Sequence, residues 1–251
     1  MLVMGILNVT PDSFADGGKH NDFEAAIARG LEMIAEGVDI IDIGGESTRP
    51  GADRVSEEEE IARTIPVIAE LAKHGTPISI DTMRSTTAEA AIKAGASIIN
   101  DVSGGLADSE MLQTAAGLQV PYIAMHWRGQ SKDMNSKAVY GDVVSDVISE
   151  LNERIEAALD AGIQKDKLII DPGLGFAKDA EHNWAIIDSI DQFVALGYPV
   201  LVGGSRKRFL GGDTPDEREE ATIQLTKRLG ATGVWAVRVH SVKPHKEVLG
   251  S

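Results

Sequence analysis

The chain contains no cysteine in 251 residues. That excludes a disulfide framework and any thiolate chemistry. Basic residues are in deficit, with 24 Lys and Arg against 39 Asp and Glu, for a net charge of −15 and a pI near 4.8. Such a balance argues against a nucleic-acid partner. It also makes any basic cluster in so acidic a chain more informative. No apolar run approaches the roughly 18–20 residues of a membrane span. The first ten residues, MLVMGILNVT, lack a basic flank and enter an apolar strand at once. They do not read as a secretory signal, and a cytoplasmic location is the default expectation. No G-x-G-x-x-G turn follows the first strand, which argues against an open doubly wound sheet.

What the chain does have is alternation. In LIIDPGLGFAK, residues 168–178, an apolar run meets Asp171 and then a Gly-rich turn. An unbroken apolar run of this length reads as a strand buried on both faces, as in a parallel sheet. Pro172 and Gly173 end it. The same design recurs in DIIDIGG, ISID, SIIND and VLVGGSRK. Strands are predicted over 3–8, 39–44, 77–81, 97–101, 121–126, 167–171, 199–203 and 234–240. Helices are predicted over 23–35, 56–73, 86–94, 109–116, 143–161, 180–196 and 215–229. Several helices end in Gly just before the next strand, at Gly37, Gly95, Gly162 and Gly197, the usual choice at a helix C-terminus. No linker or break in composition divides the chain. The expectation is therefore an α/β protein, a single-domain (β/α)8 TIM barrel over residues 1–251. Residues 241–251 leave room for only a short C-terminal closing helix.

In such a barrel the functional rim lies at the C-terminal ends of the strands. There the sequence places Asn8, Glu46–Arg49, Asp81, Asn100, Asp101, Met125, His126, Asp171, Ser205–Arg208, Arg238 and His240. Arg238 and His240 flank Val239 and point to one side of their strand. The loops after strands seven and eight often hold phosphate, and these two loops carry SRKR and RVH. An anion is expected there. Two early segments, TPDSFADGGK and ESTRPGADR, have no apolar period and carry polar groups, which suits active-site lids.

With these residues assembled, the chain resembles the dihydropteroate synthase family. NVTPDSFADGG, DIGGESTRPGA, SIDTMR, NDVSGG, DPGLGFAK, SRKRF and RVH are that family's landmarks in its order, from Met4 to His240. The resemblance implies a (β/α)8 barrel that joins p-aminobenzoate to 6-hydroxymethyl-7,8-dihydropterin pyrophosphate. Pyrophosphate is released, with Mg2+ as cofactor, and the dihydropteroate formed leads to folate. Sulfonamides mimic the p-aminobenzoate. It further implies catalytic roles for Asp81, Lys207, Arg238 and His240. The pterin is expected on Asp81, Asn100, Met125, Asp171, Phe176 and Lys207. Pyrophosphate is expected on Asn8, Arg49, Arg238 and His240, with Asn8 also contacting the metal. The p-aminobenzoate pocket is expected from Phe14, Thr48, Arg49, Pro50, Phe176, Lys207 and Arg208. A homodimer is the family's usual assembly.

The chemistry of the residues agrees with this. A flat pterin needs a slot with carboxylate and amide partners and apolar walls. Charge developing on a leaving pyrophosphate needs cations placed beforehand, and arginine fits phosphate in bidentate fashion. An aryl amine is nucleophilic when neutral, which agrees with the lack of an obvious Ser–His or Cys–His arrangement. Two alternatives share parts of this pattern. A pterin-binding methyltransferase shares the barrel and the Asp/Asn/Asp contacts but has no use for SRK or RVH. A non-catalytic pterin-binding paralogue usually loses loop residues that are intact here. Three positions depart from the family pattern: Ser241 where aspartate is common, Gly204 where a side chain usually precedes SRK, and a short tail.

Overall fold

The computed structural model describes residues 1–10, 19–46, 54–129 and 134–250. Eight parallel strands form one sheet: β1 (Leu2–Asn8), β2 (Ile40–Gly44), β3 (Ile78–Asp81), β4 (Ile98–Asp101), β5 (Tyr122–Met125), β6 (Leu168–Asp171), β7 (Leu201–Val202) and β8 (Ala236–Val239). β1 to β6 pair in sequence order, β8 pairs with β1, and β7 pairs with β8. A parallel bridge between Ile170 and Val200 closes β6 onto β7 and completes the barrel. β7 is the shortest strand. Pro199 has no N–H for the ladder and Gly203 and Gly204 follow directly, so of the run expected over 199–203 only Leu201 and Val202 form strand, beside the single bridge at Val200.

The helices are α1 (Lys19–Ala35), α2 (Glu57–Leu71), α3 (Ser85–Ala94), α4 (Met111–Leu118), α5 (Val143–Asp160), α6 (Ala180–Asp188), α7 (Ile190–Val194), α8 (Glu219–Leu229) and α9 (Lys243–Leu249). Their starts follow local chemistry. The Ser56 side chain accepts from Glu59 N and opens α2, and Asp142 does the same for Ser145 N at α5. The stretch 180–196, expected as one helix, is two. Ser189 leaves the helical region at φ −112, ψ 23 and separates α6 from α7. The stretch from 215 opens with a 3-10 turn, Asp216–Arg218, before α8. The closing helix is α9, and its Lys246 pairs with Asp39 at 3.1 Å across the barrel floor.

Strand register decides what faces the barrel axis. Pairing aligns Met4 with Ile40, Ile6 with Asp42 and Asn8 with Gly44. It then aligns Gly44 with Asp81, Asp81 with Asn100, Asn100 with Ile123 and Met125 with Asp171. Alternate residues share a face. The inward set therefore begins with an apolar layer of Met4, Ile40, Ile98, Ile123, Ile169, Leu201 and Ala236, which forms its own buried cluster. One step toward the C-terminal ends, the same face carries Asn8, Asp42, Asp81, Asn100, Met125, Asp171 and Arg238. The intervening residues, such as Ile41, Ile80, Ile99 and Ile170, point outward and join the larger core beneath the helices.

That outer core is tightly fitted where α1 meets α2. A Cβ on Gly30 would lie 2.5 Å from a methyl of Leu71, so the close approach of these helices needs glycine there. Leu71 is fully buried. Leu71→Ala should lower stability by about 2–5 kcal/mol while leaving the mouth intact. Urea unfolding checks this, and a loss below about 1 kcal/mol would mean the two helices close over the gap.

Candidate functional site

The mouth is built around one guanidinium. Arg238 donates through Nε to Asp42 Oδ2 and through Nη2 to Asp81 Oδ2, each at 2.6 Å. Asp42 is fully buried and Asp81 nearly so. Asn100 Nδ2 donates to the Asp42 carboxylate at 3.2 and 3.3 Å. β8, β2, β3 and β4 are thus joined across the barrel by one polar cluster. Burial lifts the Asp81 carboxyl to about 7, with Arg238 opposing and Asp42 adding to the rise. Arg238 stays charged despite its own burial, because Asp42 and Asp81 face it.

The opposite side comes from the turn after β6. Asp171 Oδ1 accepts from Gly173 N at 2.7 Å. Burial raises Asp171, and that hydrogen bond and Lys207 draw it back. Lys207 Nζ donates to Leu174 O and sits 4.5 Å from the Phe176 ring centre. Burial pulls Lys207 down to about 8. Two glycines make this approach possible. At Gly173, φ is +69 and a Cβ would lie 2.4 Å from His126 O. At Gly175, φ is +76 and a Cβ would lie 2.7 Å from the Lys207 stem. Met125 ends β5 on the inward face and is buried beside this turn.

Of the residues proposed from sequence, the structure brings Asp81, Asn100, Met125, Asp171, Phe176, Lys207 and Arg238 to this mouth. Asn8 ends β1 on the same inward face, in register with Gly44. His240 sits on the next loop, its Nδ1 2.9 Å from Ser205 Oγ, so it ties the loops after β7 and β8 together. Arg208 is exposed. Arg206 turns away to Glu219 at 2.6 Å. Phe14, Thr48, Arg49 and Pro50 lie outside the described residues. Glu46 and Arg54, on either side of 47–53, pair at 2.9 Å. Arg84 joins the same clasp, 3.0 Å from Glu46 and 2.6 Å from Val55 O.

Asp42 escaped the sequence reading, and so did the partnership of Lys178 and Glu150 with His126, which was expected on the rim and instead lies behind the β6 turn. Asp42 lies mid-strand, and attention to strand ends passed over it. Its signal was a charge inside an apolar run at inward spacing. Lys178 Nζ is 2.8 Å from His126 Nδ1, and His126 Nε2 is 3.0 Å from Glu150 Oε2. Nothing in local sequence joins these three. Among the described residues no cluster of three His, Cys, Asp or Glu could hold a metal by itself.

A family model described as pterin binding enzyme matches residues 4–240. The chain is 49% identical to the dihydropteroate synthase of Bacillus subtilis, covering 96% of this chain and 84% of that one. It is 46% identical to the dihydropteroate synthase of Mycobacterium leprae, covering 98% and 90%. The solved structure of Xanthomonas albilineans dihydropteroate synthase with 4-aminobenzoic acid superposes with a TM-score of 0.93 at 44% identity, covering 99% of this chain and 90% of that one.

The His126 site has a consequence for stability. Burial, and then the Lys178 charge, hold its imidazole down to about 4, against the pull of Glu150. In the unfolded chain a histidine titrates near ~6.5. The folded state therefore binds this proton less readily. Its contribution is complete above about 6.5 and is lost as pH falls toward about 4, about 3 kcal/mol in all. Urea midpoints measured across that window should fall less steeply in His126→Gln than in the parent chain. Identical slopes would show that His126 does not carry the effect.

Proposed function

The chain belongs to the pterin-binding enzymes as a dihydropteroate synthase, and from that premise we propose how its barrel mouth performs the reaction. The enzyme condenses p-aminobenzoate with 6-hydroxymethyl-7,8-dihydropterin pyrophosphate, giving 7,8-dihydropteroate and pyrophosphate. The observation that carries the assignment of roles is the inward register. It gathers Asp42, Asp81, Asn100 and Asp171 around Arg238 at one end of the barrel.

Asp171 and Asn100 accept from the amino and ring N–H groups along the pterin edge. Lys207 donates to its carbonyl and ring nitrogen, and Met125 and Phe176 cover its faces. A slot walled by apolar groups and edged by a few polar ones is the usual design for a flat ligand. The methylene carbon then loses pyrophosphate. The C–O bond breaks and its electron pair leaves on oxygen, so negative charge grows on the departing group and positive charge on carbon. Arg238, with His240 and Arg49, receives the first, and the Asp81 carboxylate faces the second. Arg238 and Asp81 stand ready before the reaction begins, in a site of low dielectric where such charges count most. The aryl amine attacks with its lone pair, the C–N bond forms, and the ammonium proton is lost to solvent.

The family resemblance supports Mg2+ as the cofactor. One neutral oxygen donor, the Asn8 amide on the inward face, suits an ion held mainly by substrate phosphate and water. Bound there, the ion would neutralise charge on the pyrophosphate. Phe14, Thr48, Pro50 and Arg208 complete the p-aminobenzoate pocket in this reading, together with Arg49, Phe176 and Lys207. Sulfonamides carry the same aryl amine and compete for that pocket. The resemblance also supports a homodimer in the cytoplasm. No described helix is long and apolar enough to cross a membrane.

Pyrophosphate release measured with and without p-aminobenzoate tests the assignment. Release should require both substrates and Mg2+. A purified, folded chain that binds the pterin substrate yet releases no pyrophosphate would point instead to the methyltransferase or non-catalytic alternative.

Arg238 supplies a second test. Its removal leaves Asp42 and Asp81 buried beside each other without their cation. Arg238→Ala should therefore cost about 3–5 kcal/mol of stability as well as turnover. Arg238→Lys keeps the charge but cannot span both carboxylates, so it should recover stability in part and turnover little. Unfolding and pyrophosphate-release measurements check this. Unchanged stability in the alanine variant would contradict the shared ion pair.

A further inference from the structure

The turn after β6 carries Phe176 and receives Lys207, and a buried lysine, Lys178, holds it through its backbone carbonyls. We propose that Lys178 is a positioning residue for the pterin site, fixing this turn from the side away from the ligand. The inference rests on the reading that Phe176 and Lys207 face the pterin.

Lys178 is only 8% exposed. Its Nζ lies 2.8 Å from His126 Nδ1, 3.1 Å from Gly173 O and 3.1 Å from Phe176 O. An ammonium has three protons, and each finds one acceptor. The two carbonyls bracket the turn, one at its start and one at the residue that walls the pocket. Because Nδ1 accepts from Lys178, the imidazole proton sits on Nε2, where it is donated to Glu150 at 3.0 Å. Arg128 holds Glu150 through Nε at 3.0 and 3.1 Å and lies 3.8 Å over the Tyr140 ring. Tyr140 then donates its hydroxyl to Ala177 O at 2.9 Å. The chain of contacts returns to the turn it left.

The turn needs such support. Ala177 is held at φ +48, where a residue with a Cβ is strained. The remaining polar groups are also engaged: Gly173 N by Asp171, Gly175 N by Asn183 at 2.6 Å, and Leu174 O by Lys207. Packing alone does not call for an ion in this place. A buried ammonium loses its hydration, which pulls Lys178 down to about 7, and an apolar side chain of similar length fills the same space without that penalty. What the lysine adds is three directed hydrogen bonds, two of them to the backbone that sets where Phe176 and the Lys207 acceptor stand. An error of about 1 Å in such a wall is enough to cost activity.

The test uses the full chain and two probes, 6-hydroxymethylpterin and inorganic pyrophosphate with Mg2+, titrated by calorimetry. In Lys178→Met the pterin should bind at least about tenfold more weakly. Pyrophosphate affinity should stay within about twofold, because the anion groups lie on other loops. A lysine that merely supported the fold would weaken both alike, and equal losses overturn the inference. Phe176→Ala serves as the reference for the pocket and should also weaken the pterin alone. Unchanged pterin affinity in Lys178→Met beside a weakened Phe176→Ala overturns the positioning role by itself. Unchanged affinity in Phe176→Ala removes the premise and the inference with it. If Lys178→Met does not fold, Tyr140→Phe takes its place. That variant keeps the ring and deletes one bond to the turn, and should weaken the pterin by about threefold with pyrophosphate unmoved. No change in Tyr140→Phe overturns the inference.

Discussion

Everything at the mouth depends on the two-residue period of parallel strands closed into a ring. Once Met4 faces the axis, Ile6 and Asn8 must face it also, and pairing passes that choice from strand to strand. The floor is then apolar and the mouth polar with no further instruction. A slip of one residue in β2, β3 or β6 would turn Asp42, Asp81 or Asp171 out toward the helices and away from Arg238 and Lys207. The apolar partners of the same strands would turn inward in exchange. Register and site chemistry are therefore the same constraint seen at two scales.

The polar layer is held together by an imbalance of charge. Asp42, Asp81 and Asp171, all buried, face the half-buried Arg238 and Lys207. Three carboxylates against two cations leave the set one positive charge short. Burial accordingly raises Asp81 and Asp171 rather than lowering them, although each stands near a cation. The donors of a pterin edge, and the positive charge that develops when pyrophosphate leaves, are what such a set lacks. The site is therefore better matched to the reacting substrate than to itself, which is the condition for catalysis by differential binding.

Much of this was legible in the chain. Short apolar runs that meet polar residues or glycine predicted the eight strands, and the C-terminal rim rule placed Asp81, Asn100, Asp171 and Arg238 at one mouth. What escaped reading depended on distance along the chain. The bond from Arg238 to Asp42 joins residues 196 positions apart, and no local period reports it. Lys178, His126 and Glu150 meet only because β5, β6 and α5 are neighbours in the barrel. The break at Ser189 was missed for a different reason. The apolar spacing continues across it, and only the backbone angles depart. Arg206, within the basic run, has a left-handed backbone, φ +57, and its side chain pairs with Glu219 rather than facing the mouth.

The β6 turn is where fold and site meet most closely. Its glycines take backbone angles and close approaches that other residues resist, yet the segment between Asp171 and Lys178 is not loose. Its carbonyls at Gly173, Leu174, Phe176 and Ala177 each have a named side-chain donor, and its amides at Gly173 and Gly175 each have a side-chain acceptor. Glycine supplies the path, and distant side chains remove the freedom that glycine brings. A pterin entering the mouth therefore meets a wall whose hydrogen bonds are already made. The ordering was completed during folding, so binding energy from the pterin need not be diverted to it. In the proposed reaction it remains for the chemical step, in which pyrophosphate would depart beside charges already set in place.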